Sequence, residues 1–228
     1  MTFQPETKRT FRSGSSRLLA ALVACLTPLA AISAHAQSKI GPAAHATYDN
    51  RYEVYGGINF MNFQAGQNLP KRMNFVGAEA QGTFWLTNHI GLAGDYRFEG
   101  GTTPVFPNPI FNRVAVYQQI GMGGIQYRGP KGRYAAIDYH AFGGISSGKF
   151  DSATTAYHGT APALSATDIG LYTNRTSPIA ALGGSVDFNY TKNIAIRIQP
   201  DLILEHYGNE LREFAAVSGG IVYRFGKR

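Results

Sequence analysis

Apolar and polar residues alternate with a period of two through most of the chain beyond residue 50. Between Ile90 and Phe98 every second residue is apolar or glycine, and the intervening positions include Asp95 and Arg97. This period places the two classes of residue on opposite faces of a β-strand. Eight segments show it, and we predict strands at 52–63, 73–86, 89–99, 113–128, 133–146, 178–190, 194–206 and 212–225.

The connections between these segments alternate in length. Short ones follow the second, fourth and sixth strands, at residues 87–88, 129–132 and 191–193. Longer ones follow the odd strands, at residues 64–72, 100–112, 147–177 and 207–211. Short turns at one end and long loops at the other are typical of outer-membrane barrels. We therefore predict an all-β fold in which residues 51–228 form an eight-stranded antiparallel up-and-down transmembrane β-barrel, with the short turns and both termini in the periplasm.

The apolar face of each strand is predicted to meet lipid. A soluble barrel would point this face inward, but the interior of eight strands is just wide enough for side chains, and faces so rich in Phe, Tyr and Ile would overpack it. Aromatic residues also concentrate near both strand ends, as an interfacial girdle requires. We assign to this girdle Tyr52, Phe84, Trp85, Tyr127, Tyr134, Tyr190 and Phe225 near the short turns, and Phe60, Phe63, Phe75, Phe98 and Phe142 near the long loops.

The fourth strand has an ambiguous phase. Gln118, Gln119 and the glycine-rich run at 121–124 mark neither an apolar nor a charged face. A β-bulge would shift the alternation at such a place, and we expect one there.

The N-terminus has the composition of a secretory signal peptide. Four basic residues precede an apolar stretch at 18–32, and Ala34 and Ala36 supply the small residues at positions −3 and −1 of a cleavage site. The apolar stretch is shorter than the roughly 20 residues of a membrane-spanning helix. We predict a signal peptide at 1–36, followed by a periplasmic lead at 37–50.

Cys25, the single cysteine, lies inside this predicted signal peptide. The alternative is a lipoprotein, because residues 22–25 resemble a lipobox, although residues 26–32 stay hydrophobic where a lipoprotein usually turns polar. Without the leader the chain has no cysteine for disulfides, thiol catalysis or metal binding. Its net charge falls from +7 to +4, which does not argue for nucleic acid and favours contact with anionic lipid headgroups.

The polar strand faces would line the lumen of the barrel. Unpaired charges in so narrow a space cost several kcal/mol each, so we expect the arginines to pair with carboxylates and plug the barrel. The alternative is a small porin-like channel that conducts ions along the same groups. The predicted lumen residues are Glu79, Asp95, Arg97, Glu99, Asp138, His140, Asp187, Arg197, Asp201, Glu205 and Arg224.

No catalytic, cofactor or metal site is predicted. Asp138 and His140 are spaced as a metal or acid–base pair could be, but also as a hydrogen-bonded lumen pair. Some small barrels modify lipid A with a histidine, a serine and an acid, and this remains the enzymatic alternative. The composition of an exposed loop is enough to explain the candidates here, which are Ser146, Ser147, Asp151, His158 and Asp168.

Several segments carry a resemblance to a known family: residues 140–144 (HAFGG), 181–187 (ALGGSVD) followed by 191–197 (TKNIAIR), and 219–225 (GGIVYRF). Over residues 50–226 the chain resembles the eight-stranded outer-membrane barrels of the outer membrane protein A and opacity-protein type. The family's chains end on the aromatic of the last segment, whereas here three residues follow Phe225.

The resemblance implies a protein of the cell outer membrane. We also expect the chain to be monomeric and not an enzyme. Its role would be to maintain the envelope or to interact at the surface, with the loop 147–177 contacting an extracellular ligand. Its other partners would be outer-membrane lipids and the barrel-insertion machinery. That machinery would recognise the terminal signal Val217, Gly219, Ile221, Tyr223 and Phe225.

Overall fold

Eight strands pair in chain order and close into a barrel. The computed structural model describes residues 46–227 except 68, 70, 161, 163, 208 and 209. The predicted signal peptide at 1–36, with Cys25, Ala34 and Ala36, lies outside the described residues, as does most of the predicted lead.

All neighbouring strands run antiparallel, and the first pairs with the last. The strands are β1 (Asn50–Phe63), β2 (Met73–Trp85), β3 (Ile90–Pro104), β4 (Arg113–Lys131), β5 (Ala135–Lys149), β6 (Arg175–Asn189), β7 (Ile194–Tyr207) and β8 (Glu210–Lys227). Between β5 and β6 lies the four-residue helix α1 (Ser152–Thr155). In the part of the chain that the structure describes, no helix is long and apolar enough to cross a membrane. The predicted eight-stranded antiparallel barrel is confirmed.

The pairing register is staggered around the barrel. A row of directly paired residues that leaves β1 at Tyr52 returns to β1 at Asn62, ten residues further along. A stagger of this kind accompanies a strand tilt of about 35–45° in closed barrels. With eight strands it leaves an interior that side chains can fill.

The strands run further into the loops than the alternation predicted. The connections predicted at 100–112, 147–177 and 207–211 shrink to 105–112, 150–174 and 208–209. Cross-strand pairs such as Gly148 with Arg175 carry the hydrogen-bond ladder upward. The sequence pattern stopped short because glycine, serine and threonine occupy many of these positions and mark neither an apolar nor a charged face.

One phase runs through β4, so the bulge predicted near residues 118–124 is wrong. The register with β5 is regular from Tyr117 to Arg128 and shifts only between Arg128 and Lys131, beside a short turn. Gln118 faces inward, while Gly121 and Gly123 fall on the outer face. Glycines there leave the ladder intact, which is why the ambiguous composition does not disturb the pairing.

The outer wall of the barrel is apolar along the middle of the strands. Ile58, Ile145 and Ile221 are 60–69% exposed there. Charged residues of the same strand segments point inward and are buried. An apolar exterior around a polar interior suits a hydrocarbon environment. Closure of the barrel suits it as well, because no strand edge is left with unpaired backbone groups.

Four of the twelve aromatics assigned to the girdle point inward, which corrects that prediction. Trp85, Phe63 and Phe75 are 0% exposed and Phe142 is 3% exposed. They do lie near strand ends, but side chains alternate between faces along a strand and these four fall on the inner one. Seven others lie on the outer face, namely Tyr52, Phe60, Phe84, Phe98, Tyr127, Tyr190 and Phe225, while Tyr134 lies half-buried in the turn between β4 and β5.

Candidate functional site

The structure places all eleven predicted lumen residues on the inner face of the barrel. Each is at most 6% exposed, and His140 is the most exposed of them. They divide into two groups along the barrel axis. We call the end with the short turns the turn end and the end with the long loops the loop end.

The lower tier is a connected cluster near the turn end, made of Glu53, Arg128, Asp138, Asp187, Arg197 and Arg224. The Nη2 atom of Arg197, at its centre, lies 2.5 Å from Glu53 Oε1 and 3.4 Å from Asp138 Oδ2. Its Nε atom lies 2.6 Å from Asp187 Oδ1. Arg224 Nη2 approaches the second oxygen of Asp187 at 2.5 Å. Three guanidinium groups thus balance three carboxylates.

Two members of the lower tier, Glu53 and Arg128, were not among the predicted lumen residues. Arg128 Nη2 donates to Glu53 Oε2 at 2.7 Å, and the guanidinium lies 3.7 Å from the centre of a Trp85 ring. The signal was present in the alternation, because Glu53 precedes the outward Val54 and Arg128 follows the outward Tyr127. Both residues were overlooked because they lie next to a strand end.

The lower tier also holds a possible metal-ligand set. Carboxylate oxygens of Glu53, Asp138 and Asp187 lie within 4.8 Å of one another. Each of these carboxylates already contacts at least two arginines. The arginines therefore supply the positive charge that a cation would otherwise bring.

Tyr48 closes the lumen below the lower tier. Its hydroxyl donates to the carbonyl of Gly132 at 2.9 Å and accepts from Asn189 Nδ2 at 2.6 Å. Its ring centre lies 5.1 Å from the guanidinium carbon of Arg224 and 5.3 Å from that of Arg128. Burial raises the pKa of this tyrosine. The residue has a φ of 55°, an uncommon conformation for a non-glycine residue, and these contacts hold it there.

The middle tier lies above the lower tier and contains Glu79, Asp95, Arg97, Glu99, His140, Asp201 and Glu205. Arg97 Nη2 lies 2.6 Å from Asp201 Oδ2, and its Nε lies 2.9 Å from Asp95 Oδ1. His140 Nε2 lies 2.8 Å from Asp201 Oδ1. The partner of His140 is thus a residue 61 positions away, and not Asp138 two positions away as the spacing had suggested.

Carboxylates outnumber basic groups in the middle tier. Five carboxylates face one arginine and one histidine. Glu205 accepts two hydrogen bonds from Gln118 Nε2, at 2.7 and 2.9 Å, and another from the Ser146 hydroxyl. Neither carboxylate oxygen of Glu99 has a hydrogen-bond donor among the described residues, although the side chain is fully buried. Among the described residues, Glu99 is therefore the one carboxylate of the middle tier whose two oxygens both lack a donor.

Apolar side chains fill the lumen at the loop end. Phe63 and Phe75 stack with ring centres 4.4 Å apart, and Tyr207 stacks on Tyr172 of the third long loop at 4.5 Å. Phe150 packs against Phe63 and both tyrosines. We call this cluster the apolar cap; it extends down the wall beside the middle tier as far as Ala93, and its buried members are Met61, Phe63, Ala65, Leu69, Met73, Phe75, Ala93, Val114, Val116, Ile120, Met122, Phe142, Phe150, Ala166, Ile169, Leu171, Ile179, Ala181, Ile203, Tyr207, Phe214 and Ala216.

Backbone hydrogen bonds tie the three long loops together across the mouth. Tyr172 N donates to the carbonyl of Ala65 in the first loop at 2.9 Å. Phe106 N, in the second loop, donates to the carbonyl of Ile169 in the third at 3.0 Å. The third loop therefore packs over the barrel, which its polar sequence had not indicated.

The residues considered for lipid A chemistry do not form a constellation. Ser146 lies on the inner face of β5 and donates to Glu205. Asp168 accepts from the backbone of Ser165 at 2.9 Å, and this bond lowers the pKa of its carboxyl. His158 is exposed elsewhere in the same loop.

The predicted insertion signal lies on the outer face of β8. Val217, Ile221, Tyr223 and Phe225 are 41–60% exposed, and Gly219 is exposed between them. This strand pairs with β1 and closes the barrel. Recognition by the insertion machinery stays a prediction.

Comparison with known proteins finds this architecture at low sequence identity. Ail, the attachment invasion locus protein of Yersinia pestis, solved in complex with the heparin analogue sucrose octasulfate, matches 78% of this chain and 99% of its own at 15% identity and a TM-score of 0.50. Neisserial surface protein A matches 76% and 97% at 11% identity and a TM-score of 0.54. The N-terminal β-barrel domain of Pseudomonas aeruginosa OprF matches 77% and 98% at 11% identity and a TM-score of 0.40.

No protein-family profile and no curated protein matches the chain. The likeness to solved structures therefore concerns the fold. The chain has the fold of the small eight-stranded outer-membrane β-barrels, as its resemblance to the outer membrane protein A and opacity-protein type implied.

Proposed function

We propose that this chain is an integral outer-membrane barrel with a structural and surface-interaction role, and that it does not act as a channel or an enzyme. The observation that carries the proposal is the filled lumen. The lower tier and Tyr48 occupy the turn end, and the apolar cap occupies the loop end. Opening a continuous path would require breaking buried ion pairs that cost several kcal/mol to leave unpaired.

A porin-like channel is the second candidate, because the carboxylate excess of the middle tier would favour cations. The apolar cap argues against it, since rings of the third loop pack on rings of the barrel wall above those carboxylates. The lower tier argues against it as well, because its arginines are held by two or three carboxylates each.

The surface role is supported by basic residues at the loop end. Lys149 and Arg175 flank the third long loop, and Arg113 begins the neighbouring strand β4; all three are exposed. The Arg113 guanidinium donates a hydrogen bond to the backbone carbonyl of Thr102 on β3 at 2.7 Å. Ail, of similar fold, was solved with a heparin analogue. We propose that this basic surface of the chain binds sulfated polysaccharide.

We expect the folded protein to bind heparin resin and to lose that binding in the triple variant Arg113→Gln, Lys149→Gln and Arg175→Gln. Each exposed ion pair contributes up to about 1 kcal/mol, so three losses should reduce the affinity by about 100-fold. A matched control replaces three exposed basic residues of the opposite end, Arg51, Lys192 and Lys227.

Heparin affinity is measured by salt elution and by titration in nanodiscs. Elution of the loop-end variant at the salt concentration of the unaltered protein would overturn the polysaccharide proposal. The turn-end control variant, in contrast, should elute at the same salt concentration as the unaltered protein.

A further inference from the structure

A cavity of about 220 Å³ lies at the turn end, and Tyr48 and Arg224 of the filled lumen form part of its lining. It opens between the segment that leads into β1, the turn between β6 and β7, and the end of β8. Asp49, Lys192, Asn193, Phe225 and Lys227 are among the residues that line it. The resemblance and the proposed function assign nothing to this place.

Opposite charges converge on this cavity. The Thr47 hydroxyl donates to Asp49, and together with the smaller attraction of Lys192 and Lys227 it holds the pKa of that carboxyl below its usual value. Both lysines are exposed. Arg224 also lines the cavity, but its donors are engaged with Glu53, Asp187 and Asn189. Two lysines and one aspartate thus line the same cavity.

The cavity lies at the level where lipid headgroups would be. Tyr190, which precedes the β6–β7 turn, is 73% exposed on the outer wall, and Tyr223 and Phe225 of β8 are 49% and 41% exposed. Exposed aromatic rings at the end of an apolar wall mark the membrane–water interface. A lipid whose chains lie along this wall would bring its headgroup to the cavity.

We propose that this cavity binds a phosphoethanolamine group, with the phosphate on Lys192 and Lys227 and the ammonium on Asp49. A zwitterion matches a site that presents both signs of charge. A headgroup that is only anionic would meet the Asp49 carboxylate without a compensating group of its own. The same chemistry is offered by a phosphoethanolamine lipid and by a soluble glycerophosphoethanolamine.

Native mass spectrometry of the barrel tests the proposal. The protein is released from micelles that contain equal amounts of phosphatidylethanolamine and phosphatidylcholine with identical acyl chains. Choline carries no N–H to donate to Asp49, so we expect about fivefold more ethanolamine lipid to be retained, the ratio for one partly exposed ion pair of about 1 kcal/mol. Equal retention of the two lipids would overturn the proposal.

Variants separate the two halves of the headgroup. Asp49→Asn should abolish the preference by lowering retention of the ethanolamine lipid about fivefold, while retention of the choline lipid stays within about twofold of the unaltered protein. The double variant Lys192→Gln and Lys227→Gln should reduce retention of both lipids by about fivefold or more. Lys149→Gln, at the opposite end, should behave like the unaltered protein. Retention by the double variant equal to that of Lys149→Gln would overturn the proposal.

The source of the group is decided by competition. Glycerophosphoethanolamine at millimolar concentration should leave the lipid bound if the ligand is a lipid, because acyl chains along the wall add to the affinity. Displacement of the lipid would assign the site to the soluble compound. A heat-shifted gel mobility for every variant shows that each one is folded before its lipids are counted.

Discussion

Replacing Arg197 with Leu is expected to lower the free energy of unfolding by about 3–5 kcal/mol, the cost of removing one partner from a buried ion cluster. Arg197 contacts Glu53, Asp138 and Asp187 and is fully buried. Leu would leave three buried carboxylates facing two arginines, with the excess negative charge uncompensated. The measurement is the urea unfolding midpoint of the refolded barrel, followed by the fluorescence of Trp85, the only tryptophan.

Two further variants show that the effect belongs to the lower tier. Arg113→Leu removes an exposed arginine and should change the free energy of unfolding by less than about 0.5 kcal/mol. Glu99→Gln replaces a buried carboxylate that lacks a hydrogen-bond donor, so it should not destabilise the barrel. An unfolding midpoint for Arg197→Leu equal to that of Arg113→Leu would contradict the structural role of the cluster.

Gly144→Ala is expected to destabilise the barrel by about 1–3 kcal/mol or to prevent folding, as overpacking does in close-packed interiors. A Cβ atom at Gly144 would meet the backbone carbonyl of Gly121 and the Cα of Met122 on the neighbouring strand. Backbone atoms cannot turn aside as the end of a long side chain can. The strands β4 and β5 would have to separate locally, at the cost of ladder hydrogen bonds.

The neighbouring glycine provides the control for this substitution. Gly143 lies on the outer face, and a Cβ atom there meets nothing within 4 Å. Gly143→Ala changes the unfolded chain in the same way as Gly144→Ala, so the difference between the two isolates the close approach of the strands. Both midpoints are measured by urea unfolding in the same lipid. Equal destabilisation by the two variants would show that the close approach of β4 and β5 at Gly144 is not the cause.

Strand number, order and the two faces followed from the sequence because a period of two is imposed by the strand itself. In β3, for example, Asp95, Arg97 and Glu99 were placed inward from the alternation alone, and the structure buries all three. The predicted strand boundaries were less accurate. Glycine, serine and threonine at the strand ends are neither apolar nor charged, so they do not indicate which face they occupy.

Which lumen groups contact each other could not be read from the sequence. The partners of Arg197 include Glu53, 144 residues away, and Asp138, 59 residues away. These contacts depend on the tilt and stagger of the closed barrel, which place side chains of non-neighbouring strands at one height. His140 illustrates the point, because its same-strand neighbour Asp138 was the only candidate that spacing could suggest.

The apolar cap was missed for a different reason. Aromatic residues near the strand ends, such as Phe63 and Phe75, are what an interfacial girdle would also contain. A girdle residue differs from a cap residue only in whether its position in the strand alternation faces outward or inward. Loop residues such as Phe150 and Ile169 have no periodicity at all. Their burial follows from three loops meeting over one mouth, a tertiary arrangement that local sequence does not encode.

Planar-bilayer conductance of the folded barrel, residues 37–228, tests the filled lumen most directly. A heat-shifted gel mobility first establishes that the sample is folded, and a porin of known conductance shows that the bilayer reports insertion. We expect a folded, membrane-inserted and electrically silent protein. Stable, discrete openings in the same preparation would contradict it and would make the carboxylates of the middle tier part of an ion pathway.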